Sequence, residues 1–382
     1  MMSGPLSGIR VVELAGLGPA PFCGMALADL GAEVIRVDRA DVVVGDHTSR
    51  TKHDLHNRGK RSIGVNLKTP GAVDVVLDLA GTAEILIEGF RPGVTERLGV
   101  GPAECLARNT ALVYGRVTGW GQEGPIAFTA GHDIDYIALS GVLHAVGPAD
   151  RPIPPLNLIG DYGGGGMLLA LGVMAALLHA RVTGEGQIVD AAMLDGAALL
   201  TTSHHGLMAE GIWAASRRES NPLDGGAPFY AAYETSDGRH MAVGALEPQF
   251  YAELLEGLGL EPGDLPAQTD HSGWPALRDL FAEKFLERTR DEWADHFEGT
   301  DACVAPVLSM EEAPNHPHNR SRGTFVEVAD VTQPAPAPRF STTPAAISGG
   351  PSVPGADTDS ILDQLGYSST QIGMLRSTGA VA

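Results

Sequence analysis

Cysteine is scarce in this chain: Cys23, Cys105 and Cys303 lie far apart without a C-x-x-C pair, which argues against a disulfide framework and a structural zinc site. Basic residues are few, 26 Lys and Arg against 47 Asp and Glu for a formal charge of -21, which disfavours nucleic acid or an anionic membrane as a general partner. The longest apolar stretch, around Met167 to Ala180, is too short by sequence to cross a bilayer. The N-terminus lacks the basic-then-apolar layout of a signal peptide, and Gly379-Ala-Val-Ala382 is not a peroxisomal address, so the expected location is cytoplasmic. Neither H-E-x-x-H nor G-x-S-x-G occurs, and Gly59-Lys60 is followed by Arg61 rather than Ser or Thr. Metallohydrolase, serine esterase and P-loop readings are therefore left without a motif. Aromatics make up only 5 % and apolar residues 43 % of 382 residues, a composition that suits a globular protein with one large domain and a second smaller one.

What is present alternates. Ile9 to Leu14 and Glu33 to Val37 read as strands around a turn at Gly16 to Pro21 and a helix from Phe22 to Leu30. Further strands are expected at Ser62 to Leu67, Ala83 to Ile87 and Ala111 to Val117, separated by helical segments at Gly71 to Leu79 and Pro102 to Arg108. This order predicts an α/β fold, a Rossmann-like large domain with a mostly parallel sheet. The large domain is expected over residues 1–200, a crossing linker over 201–226 and a smaller α+β domain over 227–313. Within that smaller domain the pattern predicts a hairpin at Phe229 to Gly244 and helices at Glu247 to Leu258 and Trp274 to Phe297. Proline recurs from Pro314 to Pro354, so residues 314–382 read as an extended return and a C-terminal segment on the large domain.

Charge is unevenly spread. Residues 1–70 carry nine basic and seven acidic side chains, although the whole chain is strongly acidic. The basic stretch Arg50 to Arg61, flanked by Arg39 and Lys68, reads either as a solvated face or as a site for a phosphorylated small molecule. The Gly16-x-Gly18 turn followed by Asp38 invites a dinucleotide reading. It is weakened because Pro19 and Pro21 lack the N–H donors that a pyrophosphate loop presents.

The most informative feature is Ala130-Gly-His132-Asp-Ile-Asp-Tyr136, followed 29 residues after its histidine by Gly160-Asp161-Tyr-Gly-Gly-Gly-Gly166. An imidazole and a carboxylate form a pair able to take a proton from one side and return one from the other. The glycine run ahead of Met167 is expected to leave N–H groups at a helix N-terminus, where an oxyanion is stabilised. Spacing alone leaves the alternatives open, since a lone histidine is often a core or surface group and an aspartate before glycines is often a cap.

Read with Gly4 to Leu14, Ile35 to Arg39, Gly59 to Ser62, Glu88 to Gly93, Gly119 to Gln122, Asp224 to Tyr230 and Val243 to Tyr251, the chain resembles the α-methylacyl-CoA racemases of the family III CoA-transferase superfamily. The resemblance implies that His132 and Asp161 are the acid–base pair on either side of an acyl-CoA α-carbon, with Glu247 from the smaller domain orienting His132. It implies CoA on the large domain against Arg39, Arg61, Val65, Asn66, Leu67, Lys68, Gly131, Asp133, Ile134, Asp135 and Tyr136, with Arg91 near the thioester or pantetheine entrance. It further implies an interlocked homodimer, acyl-CoA as substrate, no metal and no separate cofactor. Asp135 stands where relatives often carry Asn, which bears on acyl preference. The nearest rival is a family III CoA-transferase in which Asp161 attacks the thioester; a non-catalytic acyl-CoA-binding protein and a dehydrogenase are more distant.

Overall fold

β-Branched and aliphatic runs build six short strands: β1 (Arg10–Leu14), β2 (Glu33–Arg39), β3 (Arg61–Val65), β4 (Ile85–Glu88), β5 (Val113–Thr118) and β6 (Gln187–Ala192). A computed structural model describes residues 4–43 and 52–382, and in it these strands form one sheet in the order β3-β2-β1-β4-β5-β6. All five neighbouring pairs are parallel. A parallel sheet is covered on both faces, so its strands read as near-continuous apolar runs; β5 is buried along its whole length.

Successive side chains of a strand point to opposite faces, and β1 divides its valines accordingly. Val11 joins Ile85, Ile87, Leu169 and Val173 under the helices Pro19–Asp29 and Leu168–Thr183. Val12 joins Ile35, Leu86, Val75 and Leu79 under Ala72–Thr82, with Ile361 and Leu362 of the helix Thr358–Gln364. Each fully buried aliphatic side chain contributes about 1.5–3 kcal/mol. The strand order reverses between β1 and β4, and the crevice beyond the carboxyl ends at such a switch is where open α/β sheets bind ligands.

Two compact units divide the chain. One comprises Met1–Ser140, Leu156–Leu200 and His318–Ala382; the other comprises Gly141–Pro155 and Thr201–Pro317. The second holds a three-stranded antiparallel sheet of β7 (Tyr230–Glu234), β8 (His240–Gly244) and β9 (Val304–Pro306). Its core concentrates the scarce aromatics: Phe229, Trp274, Phe281, Phe285 and Trp293 are buried together.

Several expectations change. Residues 201–226 are not a bare linker: they belong to the second unit and carry the helix Thr202–Ala209. The helix expected over Trp274 to Phe297 is two, Trp274–Phe285 and Arg290–Phe297. Between them Thr289 and Glu292 exchange backbone and side-chain hydrogen bonds as a capping box. The proline-rich return contains a hairpin of β10 (Phe325–Val328) and β11 (Val331–Pro334). The apolar helix spans Leu158–Thr183, 26 residues, long and apolar enough to cross a membrane by length and composition. It begins earlier than expected because the glycine run is helical; Leu169, Val173, Ala176, Leu177 and Ala180 are buried in the sheet's core.

A buried ion pair crosses the floor of this unit. Lys60 Nζ lies 2.6 Å from Glu13 Oε2 with both side chains fully buried, and also donates to the Pro21 carbonyl at 3.0 Å. Burial pushes Glu13 up and Lys60 down, each opposed by the other's charge. Replacing Lys60 by Met strands the carboxylate, so Lys60→Met is expected to cost about 3–5 kcal/mol in denaturant unfolding. Adding Glu13→Gln should recover part of that loss, because no lone charge then stays buried.

Candidate active site

The turn after β1 and the loop after β4 open two adjoining clefts at the switch point. One, of about 300 Å³, is lined by Leu17, Gly18, Arg91, Trp120, His132 and Asp161 among others. The other, of about 430 Å³, is lined by Asp38, Arg39, Val65, Asn66, Leu67 and Lys68 among others. Phe90 borders both.

His132 immediately precedes the helix Asp133–Leu139 and is exposed. Asp135 Oδ2 accepts from the backbone N–H of His132 at 2.9 Å, fixing the helix start. An asparagine oxygen would accept the same bond, which accounts for Asp135 at this position. Two residues tie the loop ahead of His132: the Tyr136 hydroxyl donates to the Gly131 carbonyl, and the Tyr136 ring packs edge-on against Trp120 with centroids 4.8 Å apart. Burial, with the charges of Asp161 and Asp135, pushes the phenol up to about 12, so it stays a donor.

Asp161 sits in the first turns of a wide π-helical segment, Leu158–Met167, that continues into Leu168–Thr183. The expected helix N-terminus after the glycines is therefore absent; the helix already runs through them. They serve close packing, since a Cβ on Gly164 would lie 2.6 Å from the Ala197 backbone nitrogen. The Asp161 carboxylate faces the β1 turn, where a Cβ on Gly18 would lie 3.5 Å from its Oδ2. Asn157 Nδ2 donates to that same Oδ2 at 3.0 Å. Asn157 was not among the expected residues, although a polar side chain four positions before a carboxylate on a helix is a readable signal.

The Asp161 backbone N–H is not free for a ligand: it donates to Asp133 Oδ2 at 2.7 Å. Asp133 is buried, and burial holds it above the usual carboxylate range, opposed by N–H bonds from Asp161 and Gly160 and reinforced by the Asp161 charge. Ile134 and Asp135 are exposed beside it. Arg91 is exposed and lines the cleft of His132 and Asp161. Glu247 belongs to the second unit, at the N-cap of the helix Pro248–Leu258, and is exposed.

The basic stretch separates into two groups. Arg39 and Lys68 are exposed on the second cleft, Arg39 paired with Asp41. Arg61 does not join them. It lies at the opposite end of β3 from Val65, 2.6 Å from Glu33 and hydrogen bonded to Gln364 and Ser360. Arg58 is buried against Asp29, Lys60 against Glu13, and Lys52 pairs with Asp330 at 3.1 Å; Arg50 lies outside the described residues. A residue count cannot show which cations already have carboxylates folded onto them. Asp38, the candidate ribose ligand of a dinucleotide site, accepts from Arg36 at 2.7 Å and Ser62 at 2.5 Å, which further weakens that reading. Among the described residues no group of His, Cys, Asp and Glu is placed to hold a metal ion.

Comparison with known proteins agrees with this architecture. The chain is 47% identical over 376 residues to the alpha-methylacyl-CoA racemase of Mus musculus, covering 97% of this chain and 96% of that protein. It is 30% identical over 407 residues to the succinyl-CoA:glutarate CoA-transferase of Homo sapiens, covering 99% of this chain and 90% of that protein. A CAIB/BAIF family protein from Brucella suis shares the fold, with a TM-score of 0.81 at 24% identity over 95% of this chain and 100% of that chain. Residues 6–359 match the model for CoA-transferase family III, and the chain belongs to that family.

Proposed function

We propose that this protein is an α-methylacyl-CoA racemase that inverts the α-carbon of 2-methylacyl-CoA thioesters. The observation that carries the reading is that His132 and Asp161, unlike acid–base groups, border one cleft at the switch point of the sheet. The name and close similarity of the mouse relative support the substrate class. One residue removes the α-proton, an enolate forms, and the other returns a proton from the opposite face.

The enolate oxygen needs N–H donors. Because the Asp161 N–H is committed to Asp133, the donors in this reading are the first N–H groups of the helix Asp133–Leu139, which precede its first internal hydrogen bond. Asn157 holds the Asp161 carboxylate by its amide. In this reading Glu247 is the carboxylate that orients the imidazole. The CoA portion occupies the second cleft, with Val65, Asn66 and Leu67 on its wall and Arg39 and Lys68 as cations for its phosphates. Phe90, shared by the two clefts, marks where pantetheine passes between them, with Arg91 and the Gly131 to Tyr136 segment at the thioester. The active form is a homodimer. Leu171, Leu178 and Val182, exposed along the long apolar helix, supply an apolar face suited to a second copy.

Incubation of one epimer of a 2-methylacyl-CoA in D2O should give α-deuteration together with conversion to both epimers. Positioned acid–base catalysis contributes about 10²–10⁴-fold, and His132→Ala or Asp161→Asn should lower inversion by a factor in that range. No exchange, with CoA moved instead to an added carboxylic acid, overturns the reading in favour of a transferase with Asp161 as nucleophile.

The two exposed cations give a separate expectation. The double variant Arg39→Ala with Lys68→Ala should raise KM for the CoA thioester about tenfold or more while kcat changes little, since uniform binding is lost. A matching fall in kcat would place these residues elsewhere in the reaction.

A further inference from the structure

We propose that Asp133 is a positioning residue, holding Asp161 at the height required for proton transfer; the inference rests on the racemase reading above. Asp133 follows His132 directly and begins its helix, yet its side chain reaches the segment that carries Asp161. Its Oδ2 accepts from the Asp161 N–H at 2.7 Å. The approach needs Gly160, where a Cβ would lie 2.5 Å from that same oxygen. One short side chain thus joins the two segments that bear the two reacting groups.

The position is a costly one for a carboxylate. Asp133 is only 6% exposed, and its Oδ1 is buried with no hydrogen-bond partner among the described residues. Among the described residues no cation acts on it. Desolvation of an unpaired carboxylate opposes burial strongly, and the N–H groups of Gly160 and Asp161 are the compensation that the fold supplies. A helix cap alone does not require this placement, because an exposed Ser, Asn or Asp caps a helix at lower desolvation cost. What the buried placement adds is a fixed separation between His132 and Asp161.

The test uses full-length Asp133→Ala and Asp133→Asn, each epimer of a 2-methylacyl-CoA in D2O, and separate measurement of deuteration and inversion. A displacement near 1 Å costs about 10²-fold, so Asp133→Ala should lower inversion by roughly that factor while KM moves little. His132, exposed at the cleft, can still remove its proton and return a deuteron to the same face. Deuteration with retention should therefore persist for one epimer and fail for the other. Asp133→Asn keeps a carbonyl acceptor for the Asp161 N–H and should retain more inversion than the alanine variant. Loss of inversion and of retained exchange by one common factor, alongside a lowered melting temperature, would reduce Asp133 to a structural cap. Inversion unchanged in both variants would also overturn the proposal. Wild-type protein that exchanges neither epimer defeats the racemase reading itself, and this inference with it.

Discussion

The absence of side chains along Gly163 to Gly166 is the constraint on which the site depends. A Cβ on Gly165 would lie 2.8 Å from Met193 Cγ, and one on Gly166 would lie 2.7 Å from the Phe22 ring. The wide helical segment is thereby wedged between the helices Pro19–Asp29 and Met193–Leu200. Each glycine in a helix costs about 1 kcal/mol relative to alanine, and four in succession are tolerated only where close backbone contact compensates. These contacts seat the glycine run, and Asp161 lies two residues before it beside the β1 turn, where Asp133 accepts from its N–H.

Charge is used in two ways within the same unit. Arg58 with Asp29 and Lys60 with Glu13 are buried pairs that join the start of β3 to β1 and the first helix. Such pairs add little net stability over apolar packing, but removing one partner is costly, so they act chiefly as register pins beneath the clefts. Arg39 and Lys68 lie in solvent at the carboxyl ends of β2 and β3, where an exposed pair such as Arg39–Asp41 is weak enough to exchange for a better anion. The division follows the sheet: fixed charge under the strands, exchangeable charge at their ends.

Strand identity was legible because parallel strands buried on both faces leave apolar runs with no competing period, as Val113 to Val117 does. Residue type and resemblance single out His132 and Asp161, and both border the one cleft at the switch point. Other features were not. The helical state of Gly160 to Gly166 was hidden because glycine reads as a breaker in isolation, while its licence here comes from Ala197, Met193 and Phe22, distant in sequence. The break at Thr289 was written as a capping box but lay within an otherwise continuous amphipathic stretch. Arg61 was misplaced because charge density along a chain is silent about Glu33, to which it is bound across the sheet.

A family that contains both racemases and transferases must differ in what surrounds a shared carboxylate. An aspartate against a glycine turn can act as nucleophile or as proton carrier, and Gly18 beneath Asp161 serves either. In the proposed racemase reading, the other group on the cleft, His132, makes the difference. The His132 backbone is tied through its N–H to Asp135 and through the Tyr136 to Gly131 bond, an arrangement that anchors the residue while its side chain stays exposed. In the racemase reading proposed above, inversion requires a second proton carrier beside Asp161, and His132 on the same cleft is the residue that would distinguish inversion from transfer.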